Sequence, residues 1–202
     1  ISFLSKSELF KKILNIHGAI IEGGVLFGGS TMAWAHFSSI YEPINLTRKI
    51  IGFDTFEGFP ELSGKDRSAA SDHVQPGDLA ANTFDELNTL AEIHDSTRFL
   101  GHIPKVTLIK GDAVETIPEF VEEHPHLLVS LLYLDFDLYE PTKKCLELIK
   151  PYITKGTVIG FDELNHSSYP GETLALKEVF GLDAFKITRM PHSPCPSYIT
   201  IE

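Results

Sequence analysis

Leu134-Asp135-Phe136-Asp137-Leu138-Tyr139-Glu140, LDFDLYE, is the stretch whose reading decides the fold. The block before it, Leu127 to Tyr133, is apolar without period-two alternation, which suits a strand buried on both faces of a parallel sheet. Pro141-Thr142 and KKCLELIK follow as a helix start and body, with proline in the first turn. Asp135 and Asp137 therefore sit where a central strand gives way to its helix, the edge at which open α/β sheets bind ligands.

On the amino-terminal side, Ser5 and Glu8 fit a capping box ahead of the apolar face Leu9, Phe10, Ile13 and Leu14. His17-Gly18 is the expected end of that helix. Ala19-Ile20-Ile21 reads as a short buried strand closed by Glu22 and followed by a glycine-rich turn, Gly23 to Gly29. Ser30 or Thr31 is the expected cap of the next helix, MAWAHFSSIY, in which Trp34 and Phe37 are read as core. Arg48 to Phe53 is a second strand ending at Asp54. Residues 55 to about 104 form a long polar excursion with one helix near Thr83 to His94, and 62–104 is read as a lid or substrate-binding insert.

Lys105 to Ile109 is a third strand, closing on Lys110-Gly111-Asp112, and AVETIPEFVEE is helix-like. Beyond the central strand, Thr157 to Phe161 is a fifth, ending at Asp162-Glu163. A helix runs from Pro170 to Phe180, and Phe185 to Thr188 and Ser197 to Ile201 are closing strands able to pair antiparallel. Alternating strands and helices give the class α/β with a mostly parallel sheet, in one domain spanning 1–202.

The bulk numbers exclude some partners. A formal charge of −11 and a pI near 5.2 oppose a nucleic-acid backbone. No apolar run approaches the roughly 20 residues of a membrane span. No signal peptide is visible, and a start at Ile1 reads as a fragment or a processed chain. Cys145 and Cys195 read as reduced thiols of a cytoplasmic protein.

Three ligands compete for the glycine turn. A phosphate-binding loop needs a lysine where Gly29 stands, and the dinucleotide fingerprint finds no register among Gly23, Gly24, Gly28 and Gly29. S-adenosylmethionine carries a sulfonium and an ammonium, and an acidic turn suits such a cation. Each strand end adds an acid: Glu22, Asp54, Asp112, Asp135 and Asp162. Asp54 is placed to accept from ribose hydroxyls and Asp112 to meet the adenine edge. Asp135 with Asp162 and Glu163 makes an oxygen-only donor set that selects Mg²⁺ before Zn²⁺. Asp137 stands beside it as a further acid. His166 is a candidate general base.

The stretches IIEGGVLFGGSTMAWA, RKIIGFDTFEGFP, LIKGDAVETIPEF, LLYLDFDLYEPTKKCLE, VIGFDELNHSSYPGETLA and PSYITIE, spread over nearly the whole chain, resemble the macrocin O-methyltransferase group of class I S-adenosylmethionine-dependent enzymes. The likeness is strongest to dTDP-6-deoxy-L-hexose 3-O-methyltransferases. It implies a Rossmann-like fold with a seven-stranded sheet and an antiparallel carboxyl-terminal strand, and methyl transfer to a sugar hydroxyl. It places Glu22, Gly23, Gly24, Ser30, Asp54, Thr55, Gly111, Asp112, Ala113 and Asp135 on cofactor motifs, and Asp135, Asp162 and Glu163 as Mg²⁺ ligands. Glu163 stands where the family commonly has a second aspartate. Family chains extend further at the amino end to cap the cofactor, a segment expected to be missing here.

The expected protein is thus a Mg²⁺-dependent sugar O-methyltransferase, cytoplasmic and homo-oligomeric, acting on a sugar or nucleotide-sugar and on no membrane. Asp135 is the candidate catalytic residue, with His166 as rival base. Lys65, Arg67, His73, Arg98 and His102 are candidate cations for a diphosphate. A catechol- or phenol-type O-methyltransferase and a donor-binding module without activity are the alternatives.

Overall fold

The structure is a computed structural model that describes residues 2–68 and 74–202. In chain order its elements are α1 (Ser2–Lys12), β1 (Ala19–Gly23), α2 (Gly29–Tyr41), β2 (Ile50–Asp54), α3 (Phe84–Thr97), β3 (Val106–Lys110) and α4 (Ala113–Glu123). Then come β4 (Val129–Leu134), α5 (Tyr139–Ile149), β5 (Ile153–Phe161), α6 (Gly171–Val179), β6 (Thr188–Arg189) and β7 (Ser197–Thr200). The seven strands form one sheet in the order β3-β2-β1-β4-β5-β7-β6. The first five pair parallel, and β7 joins β5 and β6 antiparallel.

β4 is buried at every position, as its unbroken apolar run requires. One core cluster lies between the sheet and α4, α5 and α6, built on residues such as Ile117, Leu132, Cys145 and Leu176. The other lies under α1 and α2, around Phe10, Trp34, Phe37 and Leu131. Trp34 packs 5.7 Å from the Tyr133 ring.

Three local expectations change. α1 begins at Ser2, so Ser5 sits inside it, and regular helix stops at Lys12 rather than His17. The carbonyls past that point are claimed by a side chain. Buried Arg48 donates to Ile13 O at 2.9 Å, Ile16 O at 3.0 Å and Gly18 O at 2.6 Å, and to the carboxylate of Glu42 at 2.8 Å. It also bonds Ser130 Oγ, the residue at which β4 bulges against β1 and β5. α2 is not capped by Ser30 or Thr31, because Gly28 holds the cap position in a left-handed conformation. The strand expected from Phe185 shrinks to two residues, because Phe185 packs edge-on against Phe180, 5.6 Å away, instead of extending.

Candidate active site

The chain leaves β1 toward β2 on one side of the sheet and continues from β4 toward β5 on the other, so the carboxyl ends of β1 and β4 flank a crevice. Asp135 N donates to Gly23 O at 2.8 Å and Gly24 N to Phe53 O at 2.9 Å, which stitches the three strand ends together. Asp54 then fixes the glycine turn. Its Oδ2 accepts from Val25 N at 2.6 Å and Leu26 N at 2.8 Å, and its Oδ1 from Phe56 N at 2.6 Å. A carboxylate has about four acceptor positions, so one is left for a ligand.

Gly24 has φ 83°, and a Cβ there would lie 1.9 Å from the Asp135 carbonyl oxygen. Gly24→Ala therefore forces the turn away from β4. Strain and overpacking of this kind cost roughly 1–3 kcal/mol. Donor affinity should fall by about tenfold or more, equivalent to about 1.4 kcal/mol. Calorimetry with S-adenosylmethionine checks this, and unchanged affinity would contradict it.

The resulting cleft has a volume of about 310 Å³. Of the cofactor residues read from sequence, Gly24, Ser30, Asp54, Thr55, Gly111, Asp112, Ala113 and Asp135 line it, and Glu22 and Gly23 do not. Asp112 also caps α4 by accepting from Val114 N at 2.9 Å. Sequence reading missed the apolar wall formed by Val25, Leu26, Phe27, Phe59, Pro60 and Leu79. The one signal was Phe27, an aromatic in a glycine turn, 69% exposed at the rim. Residues 59–60 and 79 belong to the long excursion, which Thr83 pins to the turn by donating to Leu26 O at 2.7 Å. Open space over Gly29, acids below and apolar walls beside them fit a cationic sulfonium ligand with a flat base.

Glu22 lies beneath the site, fully buried. Thr31 Oγ1 donates to it at 2.5 Å. Burial raises its pKa to about 7 against the Thr31 bond and the Lys6 charge, which lower it. A raised carboxyl pKa means that the folded protein holds this proton more tightly than the unfolded chain. The stabilisation is therefore complete below pH 4.5 and is lost as pH rises to about 7. Glu22→Gln should remove a pH-dependent loss of about 3 kcal/mol across that window. The check is denaturant unfolding of both proteins from pH 4.5 to 8. A stability difference that does not change with pH would contradict it.

The acids of β4 and β5 crowd together. Partial burial, then Asp162 and Asp137, hold the Asp135 carboxyl well above the ordinary range. Asp137 is raised to about 7 by burial, Glu163 and Asp162, and it takes a left-handed φ of 62°. Asp162 accepts from the Tyr133 hydroxyl, and Lys6 Nζ lies 3.9 Å from it. Lys6 and Tyr133 were not read from sequence as site residues, for they come from helix and strand interiors. Mutual repulsion among Asp135, Asp137 and Asp162, partly offset by Lys6, fits a divalent cation between oxygen donors.

Glu163 is placed differently from the expected oxygen-only triad. Among the described residues its donor atoms gather with those of His166 and Cys195, not with those of Asp135 and Asp162. The reason is local: Glu163 N donates to Glu172 Oε2 at 3.0 Å, and the side chain turns toward His166, 3.8 Å away. Three of the proposed diphosphate cations are committed elsewhere, and His102 is exposed. Lys65 pairs with Glu178 at 2.5 Å and Arg98 with Asp95 at 2.6 Å, while Arg67 donates to Val74 O at 3.3 Å. His73 lies outside the described residues.

A family model described as macrocin-O-methyltransferase matches residues 8–176. The chain belongs to the macrocin O-methyltransferase family. Its class is that of the S-adenosylmethionine-dependent O-methyltransferases. The structure of CalS11, a calicheamicin methyltransferase, superposes with a TM-score of 0.94 at 38% identity, over 98% of this chain and 78% of that one. An apo structure of CalS11, described as a TDP-rhamnose 3'-O-methyltransferase of calicheamicin biosynthesis, gives 0.84 at 36% identity over the same shares. The O-methyltransferase NovP, at 18% identity and a TM-score of 0.67 over 99% of this chain and 79% of that one, shares the fold. No match was found among curated proteins. No helix among the described residues is long and apolar enough to cross a membrane.

Proposed function

We propose that this family member transfers the methyl group of S-adenosylmethionine to a ring hydroxyl of a 6-deoxyhexose carried on a thymidine diphosphate, with Mg²⁺ required. The observation that carries this reading is the 36% identity, over 98% of the chain, to a TDP-rhamnose 3'-O-methyltransferase. The site supports it: apolar walls and four acids, Asp54, Asp112, Asp135 and Asp137, line the donor cleft, and Asp162 crowds Asp135 at the end of β4.

Asp54 and Asp112 hold the donor. Asp135 stands where the methyl group meets the acceptor. The acceptor oxygen forms its bond to the methyl carbon as the carbon–sulfur bond breaks, and the sulfonium leaves as a neutral thioether. The hydroxyl proton passes to a carboxylate oxygen of Asp135, which lines the cleft at the end of β4. His166 is the weaker candidate for this proton, since its ring stacks on Tyr169 at 5.5 Å and faces Glu163. A divalent ion held by Asp135 and Asp162 would lower the pKa of the acceptor hydroxyl and fix its position. Phe59, Pro60 and Leu79 of the excursion exclude water from the donor side.

The protein is further proposed to work in the cytoplasm, where its free thiols Cys145 and Cys195 stay reduced, and as a homo-oligomer. Exposed Phe3, Leu4 and Ile40 on α1 and α2 support association, which light scattering tests. The test of function is an acceptor panel of TDP-6-deoxyhexoses and catechols with isotopically labelled donor. Label in the sugars alone is the expected result. Label in the catechols alone, or donor binding with no product from either group, would overturn the reading.

A further inference from the structure

Beyond the acids of the donor cleft lies a second set of ligating side chains. Glu163 and His166 come from the loop after β5, and Cys195 comes from the turn before β7. Their donor atoms all lie within 4.8 Å of one another. Glu163 Oε2 and His166 Nδ1 are 3.8 Å apart, too far for a hydrogen bond. Both atoms are shielded from solvent and face each other without a hydrogen bond between them, while the Cys195 thiol bonds the Glu163 carboxylate. Buried polar atoms are nearly always paired, so a carboxylate oxygen and a ring nitrogen facing each other beside a thiol mark a gap that something polar fills.

The size of the gap and the chemistry of its walls identify the occupant. Zinc ligands at about 2.0–2.3 Å in a tetrahedron stand roughly 3.5 Å from one another. The Glu163–His166 spacing is close to that. A thiol, an imidazole and one carboxylate form a mixed S, N, O set that favours a borderline ion over Mg²⁺. The set is held from outside. Glu172 anchors the Glu163 backbone, and Tyr169 stacks on the His166 ring. On the other loop, Met190 N donates to Pro196 O at 3.0 Å, which closes the turn that carries Cys195.

We infer that Glu163, His166 and Cys195 form a Zn²⁺ site, with the fourth position open, separate from the oxygen-only cation site of Asp135 and Asp162. The ion ties the loop after β5 to the β6–β7 turn, two segments with no shared strand pairing at that point.

The experiment uses the full chain, stripped with chelator and titrated with Zn²⁺ by calorimetry in millimolar Mg²⁺. Co²⁺ is the spectroscopic probe. The expected result is one equivalent of Zn²⁺, a thiolate-to-Co²⁺ charge-transfer band, and a rise in melting temperature on adding Zn²⁺. Cys195→Ser should lose the band and bind Zn²⁺ at least 100-fold more weakly, while its melting temperature without metal stays that of the wild type. Asp135→Asn should keep both binding and band, which separates this site from the fate of the Mg²⁺ proposal. No Zn²⁺ binding in the wild type, equal affinity in Cys195→Ser, or binding lost in Asp135→Asn instead would each overturn the inference.

Discussion

Asp135→Asn should lower kcat by about 10²–10⁴-fold, the range typical of removing a general acid–base group. Asparagine keeps the shape of the side chain and removes one of three crowded carboxylates. Its oxygen can neither take the acceptor's proton nor bind a cation as strongly. The Asp135 backbone, whose N–H bonds Gly23 O and whose carbonyl packs on Gly24, is untouched, so donor affinity should stay within a few-fold. Stability should not fall, because a carboxyl under repulsion from Asp162 and Asp137 is replaced by a neutral amide. Steady-state kinetics, donor calorimetry and a melting curve together make the check. A kcat within tenfold of the wild type would remove Asp135 from the chemistry.

Arg48→Ala is expected to be the most destabilising single change outside the site. The side chain is 1% exposed and bonds three carbonyls of the 13–18 segment, Ser130 at the β4 bulge and the carboxylate of Glu42. Removing it leaves those carbonyls and a charge that is 11% exposed without their partner. Breaking a buried pair in this way costs about 3–5 kcal/mol, a large share of a total stability of roughly 5–15 kcal/mol. Arg48→Lys should recover only part of the loss, since an ammonium cannot span five acceptors with a planar fork. The denaturant midpoint reads the effect. A change below about 1 kcal/mol, the ordinary range for a surface ion pair, would show that the network is replaced by water.

The fold was largely legible because the strands that build it are unambiguous. An apolar run such as Leu127 to Tyr133 has one stable environment, and the acids after each strand mark where it stops. Sequence was weaker where a single side chain overrides local propensity. Arg48 takes the carbonyls that would have continued α1, and Gly28 displaces Ser30 from the cap. The carboxyl-edge acids were found, but their division of labour was not. Glu22 faces inward to Thr31, Asp54 spends three acceptor positions on its own turn, and Glu163 looks toward His166 and Cys195. A spacing rule gives the edge a residue occupies but not the direction its carboxylate turns. Lys6, the cation nearest Asp162, escaped notice because its contact spans the whole distance from α1 to β5.

The measurement that tests the central claim most directly is mass spectrometry of TDP-6-deoxyhexoses incubated with the protein and S-adenosylmethionine, after exhaustive chelation and again after adding back Mg²⁺ alone. The account predicts no methylated sugar in the chelated sample and full formation once Mg²⁺ returns. Equal product in both samples, or none in either, would contradict it.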